Sequence, residues 1–329
     1  MTRSAPDIAL IRAAAARLVG EARVTPLLSS PLLDEMAGRR VLVKAENLQH
    51  TGSFKFRGAW AAVSALSPSE RAAGVLAYSS GNHAQGVAYA AQRAGVRAVI
   101  VMPSDAPALK IDNTRALGAE VVLYDRATES RERIGEALAA ERSLTLIQPF
   151  DHPQVIAGQG TTGLEIAAQA AAEQVAEADV LVCCGGGGLA SGIALALEAE
   201  APGLRVRPVE PAGFDDTARS LRTGSRETNA ALTGSICDAI LAPQPGELTF
   251  PVLKRLSGPG LVVSDQECLA AMAQAFVRLK LVLEPGGAAA LAAALYRSSE
   301  LAPGPVICTA SGGNVDPTLF RESLATCTA

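Results

Sequence analysis

Short apolar, β-branched runs alternate along the chain with Ala-rich segments whose apolar positions recur at helical spacing. The runs Val41–Lys44, Val75–Tyr78, Ala98–Met102, Val121–Tyr124, Leu144–Ile147, Val180–Cys184, Val206–Val209 and Pro305–Thr309 predict strands. Between them, His83–Ala94, Ala108–Leu117, Glu129–Glu141, Thr161–Ala172, Leu189–Glu200, Gln266–Lys280 and Gly287–Tyr296 predict helices. A further apolar face runs through Ile8, Leu10, Ile11, Ala14, Ala15 and Leu18. This alternation predicts an α/β architecture with parallel sheets. From Pro211 to Leu261 the rhythm fails in a stretch rich in Gly, Pro, Thr and Ser, the composition of a functional loop.

Four unusual segments fall where a strand gives way to a helix: Ser79-Ser80-Gly81-Asn82-His83, Gly185 to Gly188, Glu284-Pro285-Gly286-Gly287 and Ser311-Gly312-Gly313-Asn314. Ligands of open α/β sheets sit outside the carboxyl ends of the strands, so the four together predict one ligand site. Any one alone could be turn chemistry. In the tetraglycine, side-chain-free backbone can turn its N–H groups toward an anion at a helix N-terminus, which is the logic of a phosphate cradle. No GxxxxGK[ST] accompanies it, so a nucleoside-triphosphate loop is not supported. Gly185-x-Gly187-x-x-Ala190, with Glu210 beyond it, also fits a relaxed dinucleotide fingerprint, and a nicotinamide oxidoreductase stays open as an alternative.

Composition narrows the classes. The 329 residues carry 29 Lys and Arg against 33 Asp and Glu, a net charge of −4, with 49% hydrophobic residues. There is ample material for a core and no basic run to neutralise phosphates, which argues against a nucleic-acid partner. The uncharged stretches Gly74–Gln92 and Val180–Leu197 are broken by polar or glycine-rich sequence that lipid would leave unsatisfied. With no apolar leader core before Ile8, a soluble cytoplasmic protein without a membrane partner is expected. Cys183, Cys184, Cys237, Cys268, Cys308 and Cys327 show neither CxxC nor zinc-like spacing and read as small buried hydrophobes.

Only five lysines stand against 24 arginines, so each retained lysine invites a reason. Lys55 is flanked by Phe54 and Phe56, and apolar surroundings favour its neutral amine. A neutral amine can form a Schiff base with a carbonyl, which arginine cannot. A lysine nucleophile beside a phosphate cradle suggests pyridoxal 5′-phosphate, with Ser311 or Asn314 for the ring nitrogen and Asn82 for the ring hydroxyl. A snorkelling lysine at a helix start, on a scaffold that only binds a small molecule, is the bland reading of the same segment.

At this point the chain resembles the serine/threonine dehydratase family of fold-type-II pyridoxal-phosphate enzymes, which includes serine racemase. The resemblance rests on Lys44-Ala45-Glu46-Asn47-Leu48-Gln49 running into Gly52-Ser53-Phe54-Lys55-Phe56-Arg57-Gly58-Ala59, then Ser79 to Gly86, Val101-Met102-Pro103, Pro149-Phe150-Asp151, Ile156 to Thr161, the tetraglycine and Ser311 to Asn314. These motifs occur in order over essentially the whole chain.

The resemblance implies a tryptophan-synthase-β-like fold with two doubly wound open-sheet domains and the cofactor between them. Residues 1–66 and 147–329 would form the larger domain, residues 67–146 a smaller inserted one, and no C-terminal regulatory domain is expected. It implies Lys55 as the lysine that carries the cofactor and takes the Cα proton, and Ser80 as the proton source on the opposite face in racemases. Gly185, Gly186, Gly187, Gly188 and the Leu189 amide would hold the phosphate. Asn82 would meet the ring oxygen, Ser311 the ring nitrogen, and Phe54 and Glu284 would complete the surroundings. Ser79, Ser80, Gly81, Asn82 and His83 would receive the substrate carboxylate. Glu210, Phe214 and Asp216 resemble the family's site for magnesium or calcium, and a homodimer is expected. The implied reaction is β-elimination of water from an L-3-hydroxy amino acid such as threonine or serine, giving a 2-oxo acid and ammonia. A bulkier substrate (phenylserine or hydroxyaspartate) and serine racemisation are the alternatives. Ala239, where relatives commonly have glycine, and Gly286-Gly287 depart from the family pattern, and the glycines are expected to open room for a larger β-substituent.

Overall fold

The computed structural model describes residues 6–326 apart from Ser80, Pro107 and the side chain of Leu109. Among the described residues there are ten strands: β1 (Leu27–Leu28), β2 (Val41–Lys44), β3 (Val75–Tyr78), β4 (Ala98–Pro103), β5 (Glu120–Tyr124), β6 (Thr145–Leu146), β7 (Ala178–Cys183), β8 (Leu204–Pro211), β9 (Leu261–Val263) and β10 (Val306–Thr309). Six form a large sheet in the order β1-β2-β10-β7-β8-β9 and four a small sheet in the order β5-β4-β3-β6. All pairings are parallel except β1 with β2. The strands of the small sheet follow one another in sequence between β2 and β7 of the large one.

Each predicted strand is present within a residue or two. β2, β4 and all of β7 but its first residue are buried, as their uninterrupted apolar runs require for sheets covered on both faces. The predicted helices form as well, with two revisions. The segment Gln266–Lys280 begins as the helix Asp265–Gln274 behind a Ser264/Glu267 capping box. It then widens into a π turn over Ala275–Leu279 and stops at Lys280 in the left-handed region, φ 61°. The stretch ahead of Thr161 belongs to one long helix, Pro153–Ala172.

Pro211–Leu261 contains the short helices Asp216–Thr223 and Thr249–Leu256 and a 3₁₀ turn at Asp238–Ile240. The helices Pro153–Ala172 and Gly188–Glu200 cross so closely that a Cβ on Gly192 would lie 2.5 Å from the Ile156 carbonyl oxygen. Among the described residues no helix is long and apolar enough to span a membrane.

Candidate active site

A cleft of about 200 Å³ is lined by residues that shortly follow β3 (Ser79), β7 (Cys184) and β10 (Ser311), together with the first turn of the helix Lys55–Ser64. Every described residue of the predicted catalytic, cofactor and substrate sets lines it: Phe54, Lys55, Ser79, Gly81, Asn82, His83, Gly185 to Leu189, Glu284 and Ser311. Ser80 lies outside the described residues.

Lys55 opens its helix without a side-chain cap, and its ammonium donates to the Pro149 carbonyl at 2.8 Å. Burial drives its pKa down to about 8, against the opposing pull of Glu284. A buried network fixes the same helix from below. Two residues on, the Arg57 guanidinium contacts Glu46 and Glu165, each at 2.7 Å, and Lys44 contacts Glu165 at 2.5 Å. Burial disfavours the guanidinium's charge, and Glu46 and Glu165 more than offset it, so its pKa rises.

The tetraglycine leaves β7 and starts the helix Gly188–Glu200, whose N-terminus no side chain caps. Gly187 sits at φ +87°, a conformation that glycine adopts at no steric cost. A Cβ on Gly186 would lie 2.3 Å from the Phe150 ring. The Gly186 carbonyl is turned outward, accepting from the Gly246 amide at 3.2 Å and the Thr249 hydroxyl at 2.7 Å. Asp151 in turn accepts the amides of Glu247 and Leu248, each at 2.9 Å. The segment without periodicity is therefore the buttress of the cradle. An uncapped helix end, backbone stripped of side chains and a depressed lysine together fit an aldehyde that carries a phosphate.

Opposite the cradle, Asn82 donates to Glu284 at 2.6 Å and accepts from Asn314 at 2.7 Å. Burial lifts the Glu284 carboxyl to about 7, although the Asn82 hydrogen bond pulls the other way. No strand precedes Glu284; its amide donates to the Gly312 carbonyl at 3.1 Å, which joins it to the segment after β10. Ser311 is anchored through its backbone, donating to Gly287 at 3.2 Å and accepting from Phe54 at 3.1 Å. The His83 ring nitrogen Nε2 lies 2.9 Å from the Ile147 carbonyl. Burial, with the Lys55 charge, pushes its pKa down to about 3, so the ring is neutral at working pH.

Sequence reasoning missed two cations in this cleft. Lys110, from the helix Ala108–Ala116, and Arg131, from the helix Arg131–Arg142, both line it. Arg131 lies over the Tyr78 ring at 5.7 Å and contacts Glu132 at 2.7 Å. The scarcity of lysine was the one signal that could have marked Lys110.

The room expected at the two glycines needs correcting. Gly286 and Gly287 do not line the cleft and open no room: a Cβ on Gly286 would meet Ile240 at 3.2 Å, and one on Gly287 the Gly312 carbonyl at 2.2 Å. Their smallness serves close packing. Glu210, Phe214 and Asp216 lie buried and apart from the cleft. Glu210 accepts the amides of Thr217 and Ala218 at 2.9 and 2.8 Å, which removes the ribose partner a nicotinamide reading needs. Among the described residues no group of three or more His, Cys, Asp or Glu is placed to hold a metal. The five described cysteines are free and buried.

Comparison with known proteins agrees with this chemistry. An L-threo-3-hydroxyaspartate ammonia-lyase of Saccharomyces cerevisiae is 45% identical over 293 residues, covering 89% of this chain and 88% of that protein. A serine racemase of Schizosaccharomyces pombe is 40% identical, covering 96% of each. Among solved structures, a T.th. threonine deaminase superposes with a TM-score of 0.89 at 46% identity, covering 94% of this chain and 99% of that one. Residues 19–312 match the family described as pyridoxal-phosphate dependent enzyme, and the chain belongs to that family.

Proposed function

We propose that the protein is a pyridoxal-phosphate-dependent ammonia-lyase whose preferred substrate is an L-3-hydroxy amino acid with a second carboxylate on Cβ, 3-hydroxyaspartate being the simplest. The observation that carries this reading is the pair of cations, Lys110 and Arg131, in the same cleft as Lys55. Beyond the α-carboxylate, serine and threonine offer no negative charge for these cations to bind. The 45% identity to an L-threo-3-hydroxyaspartate ammonia-lyase supports the same choice.

In this reading the amides of Gly185 to Leu189 hold the phosphate, Asn82 the ring hydroxyl and Ser311 the ring nitrogen. When bound, pyridoxal phosphate takes up the electron pair left at Cα. Lys55 takes the Cα proton at Nζ, a role its depressed pKa suits. Ser79 and the N-terminal turn of the helix Asn82–Ala94 orient the α-carboxylate, helped by the helix dipole. The β-hydroxyl leaves with a proton as water, and hydrolysis of the released enamine gives the 2-oxo acid and ammonia.

The test compares wild type with Arg131→Ala on L-threo-3-hydroxyaspartate and on L-serine. An exposed charge–carboxylate contact predicts a loss of about 1 kcal/mol, roughly fivefold in kcat/KM, confined to hydroxyaspartate. Equal losses on both substrates would sink the reading.

Two finer parts go with it. Asp216 Oδ2 is buried without a partner beside Glu210, whose pKa burial and the Asp216 charge raise together. An oxygen-ligated divalent cation on Glu210, Asp216 and the Phe214 carbonyl would relieve both, and titration calorimetry with magnesium and calcium tests it. The serine racemase relatives support a side activity through Ser80, read as D-serine formation that Ser80→Ala abolishes. A homodimer follows from the same family likeness and is checked by sedimentation equilibrium.

A further inference from the structure

Lys110 and Asp238 face each other across the cleft. Lys110 sits in the helix between β4 and β5 of the small sheet, and Asp238 opens the 3₁₀ turn between β8 and β9 of the large one. Their charged atoms lie 3.8 Å apart, an ion pair beyond hydrogen-bond reach. The Lys110 side chain is 27% exposed and that of Asp238 68%, so the carboxylate is the hydrated partner. Both groups line the cleft. Their charges also reach Glu284 deeper inside, Asp238 raising its pKa and Lys110 lowering it.

A dicarboxylic substrate that brings its second carboxylate to Lys110 meets Asp238 already there. We propose that Asp238 is a specificity-determining residue that stands in for the substrate's second carboxylate, holding Lys110 while the cleft has no dicarboxylate and yielding it when one enters. The inference rests on the reading that the substrate carries a carboxylate on Cβ. It assigns Asp238 a cost that only such substrates bear: they displace it from Lys110 and approach a like charge. An amino acid with an uncharged side chain does not compete for Lys110. Asp238 therefore narrows the preference between the two classes, and its removal widens it.

A latch that merely joined the two sheets would behave differently, since its loss would alter turnover of every substrate alike.

The experiment measures kcat/KM of the holoenzyme for L-threo-3-hydroxyaspartate and for L-serine in wild type, Asp238→Asn and Asp238→Glu. Succinate binding, followed by its shift of the unfolding temperature, gives a readout independent of turnover. Asp238→Asn is expected to raise the hydroxyaspartate-to-serine ratio about two- to fivefold, the span of a solvent-exposed ion pair, and to tighten succinate by a similar factor. Asp238→Glu keeps the carboxylate and should restore the wild-type ratio.

In a Lys110→Gln background the Asp238→Asn effect should vanish, because the two act through one contact. An unchanged or lowered ratio, or the same gain with Lys110 absent, overturns the proposal. Should wild type turn over serine while neither using hydroxyaspartate nor binding succinate, the underlying substrate reading fails and takes this inference with it. That outcome is visible before any variant is made.

Discussion

Lys44 is fully buried and Lys55 half-buried, and their surroundings could hardly differ more. Lys44 meets Glu165 at 2.5 Å, the Thr25 carbonyl at 2.6 Å and Gln169 at 2.9 Å. Lys55 has one carbonyl at 2.8 Å, and the carboxylate that acts on it, Glu284, is itself lifted to about 7. One ammonium is embedded in a satisfied network with Glu46, Arg57 and Glu165. The other is left close to neutrality, in a cleft beside an uncapped helix end. Burial alone does not mark a functional lysine; burial without a matching countercharge does.

Substitution should separate the two sites sharply. Lys55→Ala is expected to lower turnover about 10³- to 10⁴-fold with little change in unfolding temperature, and to abolish the visible absorbance that follows addition of pyridoxal phosphate. Retained absorbance would break the assignment. In the network the sign reverses. Arg57→Met leaves Glu46 buried without its main partner, which should cost about 3–5 kcal/mol in urea unfolding. Activity per folded molecule should survive far better than in Lys55→Ala. A mild stability loss would mean the network is redundant with the packing around it.

The cradle tests the other side of the comparison at smaller scale. Gly186→Ala places a methyl where the Phe150 ring already lies, 2.3 Å from the ideal Cβ position, so ring or backbone must move. Cofactor affinity is expected to fall about tenfold, roughly 1.4 kcal/mol, measured by fluorescence titration of the apoprotein. Gly38, whose Cβ would meet nothing within 4 Å but whose φ is +67°, is the control for backbone strain without a clash. Gly38→Ala should leave cofactor binding intact.

How much of this could be read from the chain follows from what each feature depends on. The strands are legible because β-branched runs of four to six residues are set by local pattern, and the tetraglycine because four consecutive side-chain deletions have few other uses. β1 is two residues long, too short for any periodicity to show. Glu284 follows no strand, so its place beside Asn82 comes from contacts 202 residues apart in sequence. Lys110 and Arg131 read as ordinary charged positions on helices of the small sheet. Only the fold brings them into one cleft with Lys55. The buttress of Asp151, Gly246 and Thr249 was invisible for the same reason, since each element of Pro211–Leu261 is short and held by its neighbours.

The smallest and most diagnostic effect concerns pH. Desolvation penalises the ammonium of Lys55, so its folded pKa of about 8 lies below the ordinary lysine value of 10.5. The neutral amine that attacks pyridoxal phosphate therefore becomes the main form once pH rises through 8. In the apoprotein the rate of covalent cofactor attachment should climb about tenfold per pH unit below that point and level off above it. A rate still climbing at pH 10 would describe an ordinary solvated lysine and remove the contrast with Lys44. Glu284 sharpens the same measurement, because its negative charge holds the Lys55 pKa up against burial. It is ionised above about pH 7, so its effect is present across the Lys55 titration. Glu284→Gln removes that charge, and the midpoint of the rate profile should move to lower pH. A midpoint that stayed in place would mean that burial alone, without Glu284, sets the charge state of this lysine.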